Sequence, residues 1–70
     1  MEEKRVMFSI SQLKIMTAKH VLEAAGIPAF SINKMDSAHG SLFGDIELYV
    51  DATNATEARK ILIQEEILQN

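Results

Sequence analysis

Apolar and polar residues alternate from Lys4 to Ile10, with Val6, Phe8 and Ile10 set against Arg5, Met7 and Ser9. A period of two belongs to a strand with one face buried. Val6, Phe8 and Ile10 are therefore expected in the core, and Arg5, Met7 and Ser9 on the opposite face. The period then lengthens. From about Gln12 to Ala25, residues Ile15, Ala18, Leu22 and Ala25 recur at helical spacing, Val21 widens the stripe, and Lys14, Lys19 and Glu23 lie off it. Ser9 and Ser11 are both candidate N-caps, and Ser9 with Gln12 has capping-box spacing. Gly26 supplies a left-handed stop and Pro28 bars the helix from resuming.

A second strand is predicted from about Ala29 to Lys34, with Phe30 and Ile32 alternating against Ala29, Ser31 and Asn33. Residues Asp36 to Gly44 are rich in turn formers and lack a period, which reads as a loop. The third strand, Asp45 to Val50, places Ile46, Leu48 and Val50 on one face and Asp45, Glu47 and Tyr49 on the other. Asn54 with Glu57 is the expected cap pair of a last helix, whose apolar side is Ala55, Ala58, Ile61, Leu62 and Leu68.

The order βαββα implies a right-handed crossover through the first helix, then a strand pair, then a second crossover. Each strand offers one apolar face, so both helices must cover the same side of the sheet. The expected architecture is an α+β ferredoxin-like βαββα fold, a three-stranded mixed sheet with two helices on one face. The third strand is expected in the middle, parallel to the first and antiparallel to the second. The first strand keeps an open edge, where another chain can add. The uncovered face would carry Arg5, Met7, Ser9, Ala29, Ser31, Asn33, Glu47 and Tyr49. Arg5 and Glu47 are candidate cross-strand partners, and Met7 and Tyr49 are the interface candidates.

The segments VLEAAGIPAF (Val21 to Phe30), DIELYV (Asp45 to Val50) and ATNATEARKIL (Ala52 to Leu62) resemble the short bacterial family called putative prokaryotic signal transducing protein. The likeness runs from about Val6 to Leu62. It implies a fold similar to the PII signalling proteins and transfers no catalytic residues. The loop Asp36 to Gly44 would take the position of the PII signalling loop, but it is far shorter and has no tyrosine.

Composition narrows the function classes. Seventy residues make one domain, 1–70, in which a single small core supplies only ~3–5 kcal/mol without further support. With no cysteine, disulfides and thiolate metal sites are excluded, which leaves a second subunit as the remaining aid, and a homodimer is expected. A net charge of −3 and only two adjacent basic pairs, Lys4–Arg5 and Arg59–Lys60, argue against nucleic acid, whose binding rests on clustered cations. An RNA-recognition sheet is also not expected, because the uncovered face would offer one aromatic. The start MEEKR is charged and no apolar run approaches the ~20 residues needed to cross a bilayer, so a cytoplasmic protein without membrane contact is expected.

Candidate chemistry is sparse. His39 lies between Asp36 and Asp45, but a metal needs three or four converging ligands, and a polar turn is the favoured reading of the segment. Gly40 and Gly44 bracket Leu42 and Phe43 without the Lys-Ser/Thr and helix of a phosphate loop. His20 has no second histidine four residues away, and no serine or histidine stands in a triad context. The expectation is a non-catalytic regulatory or protein-interaction module, without a cofactor or bound metal. The alternative is a sensor of a small ligand (a nucleotide, an amino acid or a metal ion), its site in the loop 36–44. Asp36, His39, Leu42 and Phe43 are the candidate contacts with a ligand or partner.

Overall fold

The fold is that of a computed structural model, which describes residues 2–33 and 46–68. Strand β1 (Glu3–Ser9) leads to helix α1 (Gln12–Ala24), strand β2 (Ala29–Asn33) and strand β3 (Ile46–Asp51). A 3-10 turn (Ala52–Asn54) then opens helix α2 (Ala55–Gln64). This is an α+β, ferredoxin-like arrangement, with the sheet in the order β1-β3-β2.

The sheet is wholly antiparallel rather than mixed: β3 runs against both β1 and β2. Topology requires it. The crossover through α1 returns β2 parallel to β1, and β3 turns back from β2, so β3 must oppose both. The expectation of a parallel β1–β3 pair was wrong for that reason.

Local chemistry sets the helix ends. The Ser11 hydroxyl accepts from the Lys14 N–H at 3.2 Å, so Ser11 and not Ser9 caps α1. Ser9 instead accepts from the Ser11 N–H at 3.0 Å and fixes the entry to the cap. At the other end Gly26 adopts φ +85°. Its N–H donates to the Glu23 carbonyl, while the Ile27 N–H donates to the Leu22 carbonyl at 2.9 Å. This paired closure drives Ile27 inward beside Leu22. Helix α2 ends in the same way, with Glu66 at φ 60° in the glycine-favouring position and the Ile67 N–H bonded to the Leu62 carbonyl. The Asn54–Glu57 cap pair does not form. Asn54 is already helical, at the end of the 3-10 turn, and makes no side-chain cap. Asp51 takes that role one turn earlier, accepting from both the N–H and the hydroxyl of Thr53 at 3.0 Å.

The core lies between the sheet and the two helices. Ile15, Ala18 and Leu22 of α1 and Ala55, Ala58 and Leu62 of α2 meet Ile46, Leu48 and Val50 of the central strand. The helix stripes and the β3 face are thus as the spacing predicts, except that Ala25 is exposed at the α1 C-cap.

The two outer strands depart from expectation. A bulge between Arg5 and Met7 places Met7 opposite Leu48 and Phe8 opposite Glu47. Val6 and Met7 are consequently both in the core, each 5 % exposed, while Phe8 and Ile10 are exposed. A bulge shifts the side-chain alternation by one residue, so Met7 is not the surface contact its position in the alternation suggested. In β2, Ala29 pairs with Val50 and is buried, whereas Phe30 and Ile32 stand opposite Tyr49 and Glu47 on the far face. Ser31 and Asn33 share the register of Leu48 and Ile46, on the helix side, although both are exposed. The assignment of Phe30 and Ile32 to the core, and of Ala29, Ser31 and Asn33 to the open face, is therefore reversed.

Candidate functional site

These shifts assemble a different open face. Arg5, Tyr49 and Phe30 form one row across the three strands, and Phe8, Glu47 and Ile32 form the next. Phe8 remains 57 % exposed, Phe30 38 % and Ile32 40 %. The rings of Phe30 and Tyr49 stack at 5.6 Å with 13° between their planes. The guanidinium of Arg5 lies 5.0 Å from the centre of the Phe8 ring, within the range of a cation–π contact. Aromatic residues from all three strands thus line one surface.

The Arg5 and Glu47 charges at the centre of this face neutralise each other. Glu47 is only 6 % exposed, and a buried carboxylate requires partners. It accepts from Arg5 at 2.9 Å and from the Tyr49 hydroxyl at 2.7 Å. The expected Arg5–Glu47 pair therefore exists, although Arg5 stands opposite Tyr49 and reaches Glu47 diagonally. With the Arg5 side chain half exposed, solvent screening holds the pair to about 1 kcal/mol or less. Its stronger effect is geometric: Arg5 is held over Phe8, and Tyr49 is held flat beside Phe30. The bond to Glu47, followed by burial and the charge of Glu47, raises the Tyr49 hydroxyl above its ordinary value, with Arg5 opposing.

Below the aromatic rows, Glu3, Pro28, Phe30, Asp51 and Asn54 border an open cleft of about 300 Å³. The two bonds from Thr53 lower the Asp51 carboxyl from its ordinary value, so this end of the face is anionic. A second groove, of about 440 Å³, follows the outer edge of β1 between Phe8, Arg59 and Leu68.

Of the residues singled out from sequence, Tyr49 lies on the open face and Met7 lies beneath it in the core. Asp36, His39, Leu42 and Phe43, with the whole segment 34–45, fall outside the described residues. Among the described residues, no three His, Asp or Glu side chains converge as metal ligands, and no helix is long and apolar enough to cross a membrane. Sequence reasoning missed Phe8, Phe30 and Ile32 as surface residues. One signal could have found two of them. Ile27 follows a glycine-closed helix end and so points inward, which turns Ala29 inward and Phe30 and Ile32 outward.

No curated protein matches the chain. The family described as putative prokaryotic signal transducing protein matches residues 4–66, from the start of β1 to beyond the end of α2. The chain belongs to that family.

Proposed function

We propose that this chain is a non-catalytic, cytoplasmic regulatory module that acts in signalling by binding another protein through the open face of its sheet. The observation that carries the reading is the exposure of Phe8, Phe30 and Ile32 around an ion pair that is already neutralised. Large apolar groups gathered on one face mark a contact surface, and aromatic residues are enriched where interfaces draw their energy. The polar groups of the face serve one another. Arg5 and Tyr49 both bond to Glu47, an arrangement suited to holding a surface rigid rather than to moving a proton.

The same chemistry favours a protein over nucleic acid. Three aromatics across a sheet could stack on bases, but phosphate requires free cations near them. Among the described residues the cation of this face is Arg5, which is bonded to Glu47, and Glu3 and Asp51 border the lower end. The matching partner is an apolar, uncharged protein surface.

Photo-crosslinking in cells tests the reading. A photoreactive residue replacing Ile32 is expected to give a discrete protein adduct that disappears when Phe30 is also changed to Asp. The same residue replacing Lys60, on the exposed side of α2, is expected to give none. Equal adducts from both positions, or none from Ile32, would overturn the proposal.

A further inference from the structure

Among the described residues, strand β1 is paired on one side only, and the direction of its outward backbone groups is fixed by its register. The Glu2 carbonyl accepts from the Ala52 N–H at 2.9 Å, so residue 2 points its backbone toward β3. Strand geometry alternates this direction. Lys4 therefore also faces β3, while Glu3 and Arg5 direct their N–H and C=O groups away from the sheet. The Arg59 guanidinium confirms this by donating to the outward Arg5 carbonyl at 3.2 Å.

We infer that this edge pairs with the same edge of a second copy, β1 against β1 about a two-fold axis, with Glu3 of each chain opposite Arg5 of the other. Hydrogen-bonded pairs can form only between outward-facing residues, so three registers come into question: Glu3 against Glu3, Glu3 against Arg5, and Arg5 against Arg5. The last sets two guanidinium groups side by side. The first sets two carboxylates side by side and must find its next hydrogen-bonded pair ahead of the strand, which begins at Glu3. The middle register keeps both pairs inside β1, gives four backbone hydrogen bonds, and aligns Glu3 with Arg5 twice on the open face. Opposite charges across strands stabilise the pairing.

Lys4 meets its own copy at the axis, but both side chains are exposed and can swing their ammonium groups apart into water. Arg59 occupies only one lone pair of the Arg5 carbonyl, which leaves the other for the incoming N–H. The groove beside the edge leaves room for the partner's side chains on the helix side. The bulge after Arg5 ends the ladder there, since a bulge interrupts pairing. The pairing does not depend on which protein the open face binds. It would join two such faces into one surface.

The absence of cysteine makes the test direct, because each variant carries a single thiol. In this register the two Lys4 Cα atoms stand about 4.5 Å apart, as in a non-hydrogen-bonded pair, within disulfide reach. The two Glu3 Cα atoms are roughly 8 Å apart, beyond the ~7 Å limit. Under mild oxidation K4C is expected to form a disulfide-linked dimer and E3C to stay monomeric on a non-reducing gel. Native mass spectrometry is expected to show the unmodified chain at twice its monomer mass, and E3R, altered at an exposed position, as monomer. An uncrosslinked K4C, an E3C that crosslinks as readily, a monomeric unmodified chain, or a dimeric E3R would each overturn the inference.

Discussion

Met7 and Phe8 are neighbours in sequence, and the bulge in β1 assigns them opposite fates, so truncating each to alanine is a sharp test of the register. Met7 is 5 % exposed within the core, and removing a buried Met side chain costs about 2–5 kcal/mol. Phe8 is mostly exposed and meets the Arg5 guanidinium, a contact worth roughly 0.5–1 kcal/mol at such sites. A chain of 70 residues has a total stability of about 3.5–10 kcal/mol. M7A should therefore remove a fifth or more of it, and F8A little. In urea, with a slope near 1 kcal/mol/M for a small chain, M7A is expected to lower the unfolding midpoint by about 2 M or more and F8A by less than about 1 M. Melts followed by circular dichroism would measure both, with the slope checked for constancy. An F8A midpoint lower than that of M7A would refute the bulge and return Phe8 to the core.

Three further outcomes follow from the caps and the face. At Gly26 a Cβ would meet nothing within 4 Å, so G26A should cost only the backbone strain of φ +85°, about 1–2 kcal/mol by thermal melt, while E66G at φ 60° should stabilise the chain by up to about 1 kcal/mol. Asp51 is lowered in the folded state by its bonds to Thr53, so its contribution is present above the unfolded value near 3.8 and lost as pH falls through the folded value; D51N should flatten the acid limb of a stability–pH curve, and an unchanged limb would reject the cap. Tyr49 is raised, so its contribution is full below the unfolded value of 10.0 and lost as pH rises through the folded one; Y49F should remove that alkaline loss, and an identical alkaline limb in both proteins would reject the bond to Glu47.

The parts of the fold that were legible in the sequence are those governed by one dominant local signal. Ile15, Ala18 and Leu22 repeat at helical spacing, Gly26 and Pro28 end the helix, and Ile46, Leu48 and Val50 alternate through the central strand, which is covered by both helices and has no freedom of register. The outer strands were not legible for two different reasons. In β2, ranking residues by size put Phe30 and Ile32 inside, whereas parity from Ile27 puts the smaller Ala29 there. That signal was present, but it lay in the helix closure and not in the strand. In β1 no residue announces a bulge. Val6 and Met7 both turn inward because the ladder to β3 gains one residue, a three-dimensional adjustment that alternation cannot reveal. The candidate site inherited both errors. Met7 belongs to the core and Phe8 and Phe30 to the open face, which carries three aromatics among the described residues where alternation gives one.

The distribution of aromatic residues is itself evidence about function. The buried apolar set among the described residues contains no aromatic side chain and has alanine at four positions, Ala18, Ala29, Ala55 and Ala58. Small side chains let the helices approach the sheet closely, and bulky rings in their place would hold the layers apart. Burial alone would draw Phe8 and Phe30 inward, since each apolar Å² removed from water contributes roughly 25 cal/mol. The bulge and the β2 parity instead deliver both rings to the open face beside Tyr49, where Glu47 is held by Arg5 and Tyr49. A solvated face would have no need of a buried carboxylate to position an arginine over one ring and a tyrosine beside another. Such an arrangement fits a surface that must keep its shape until something covers it.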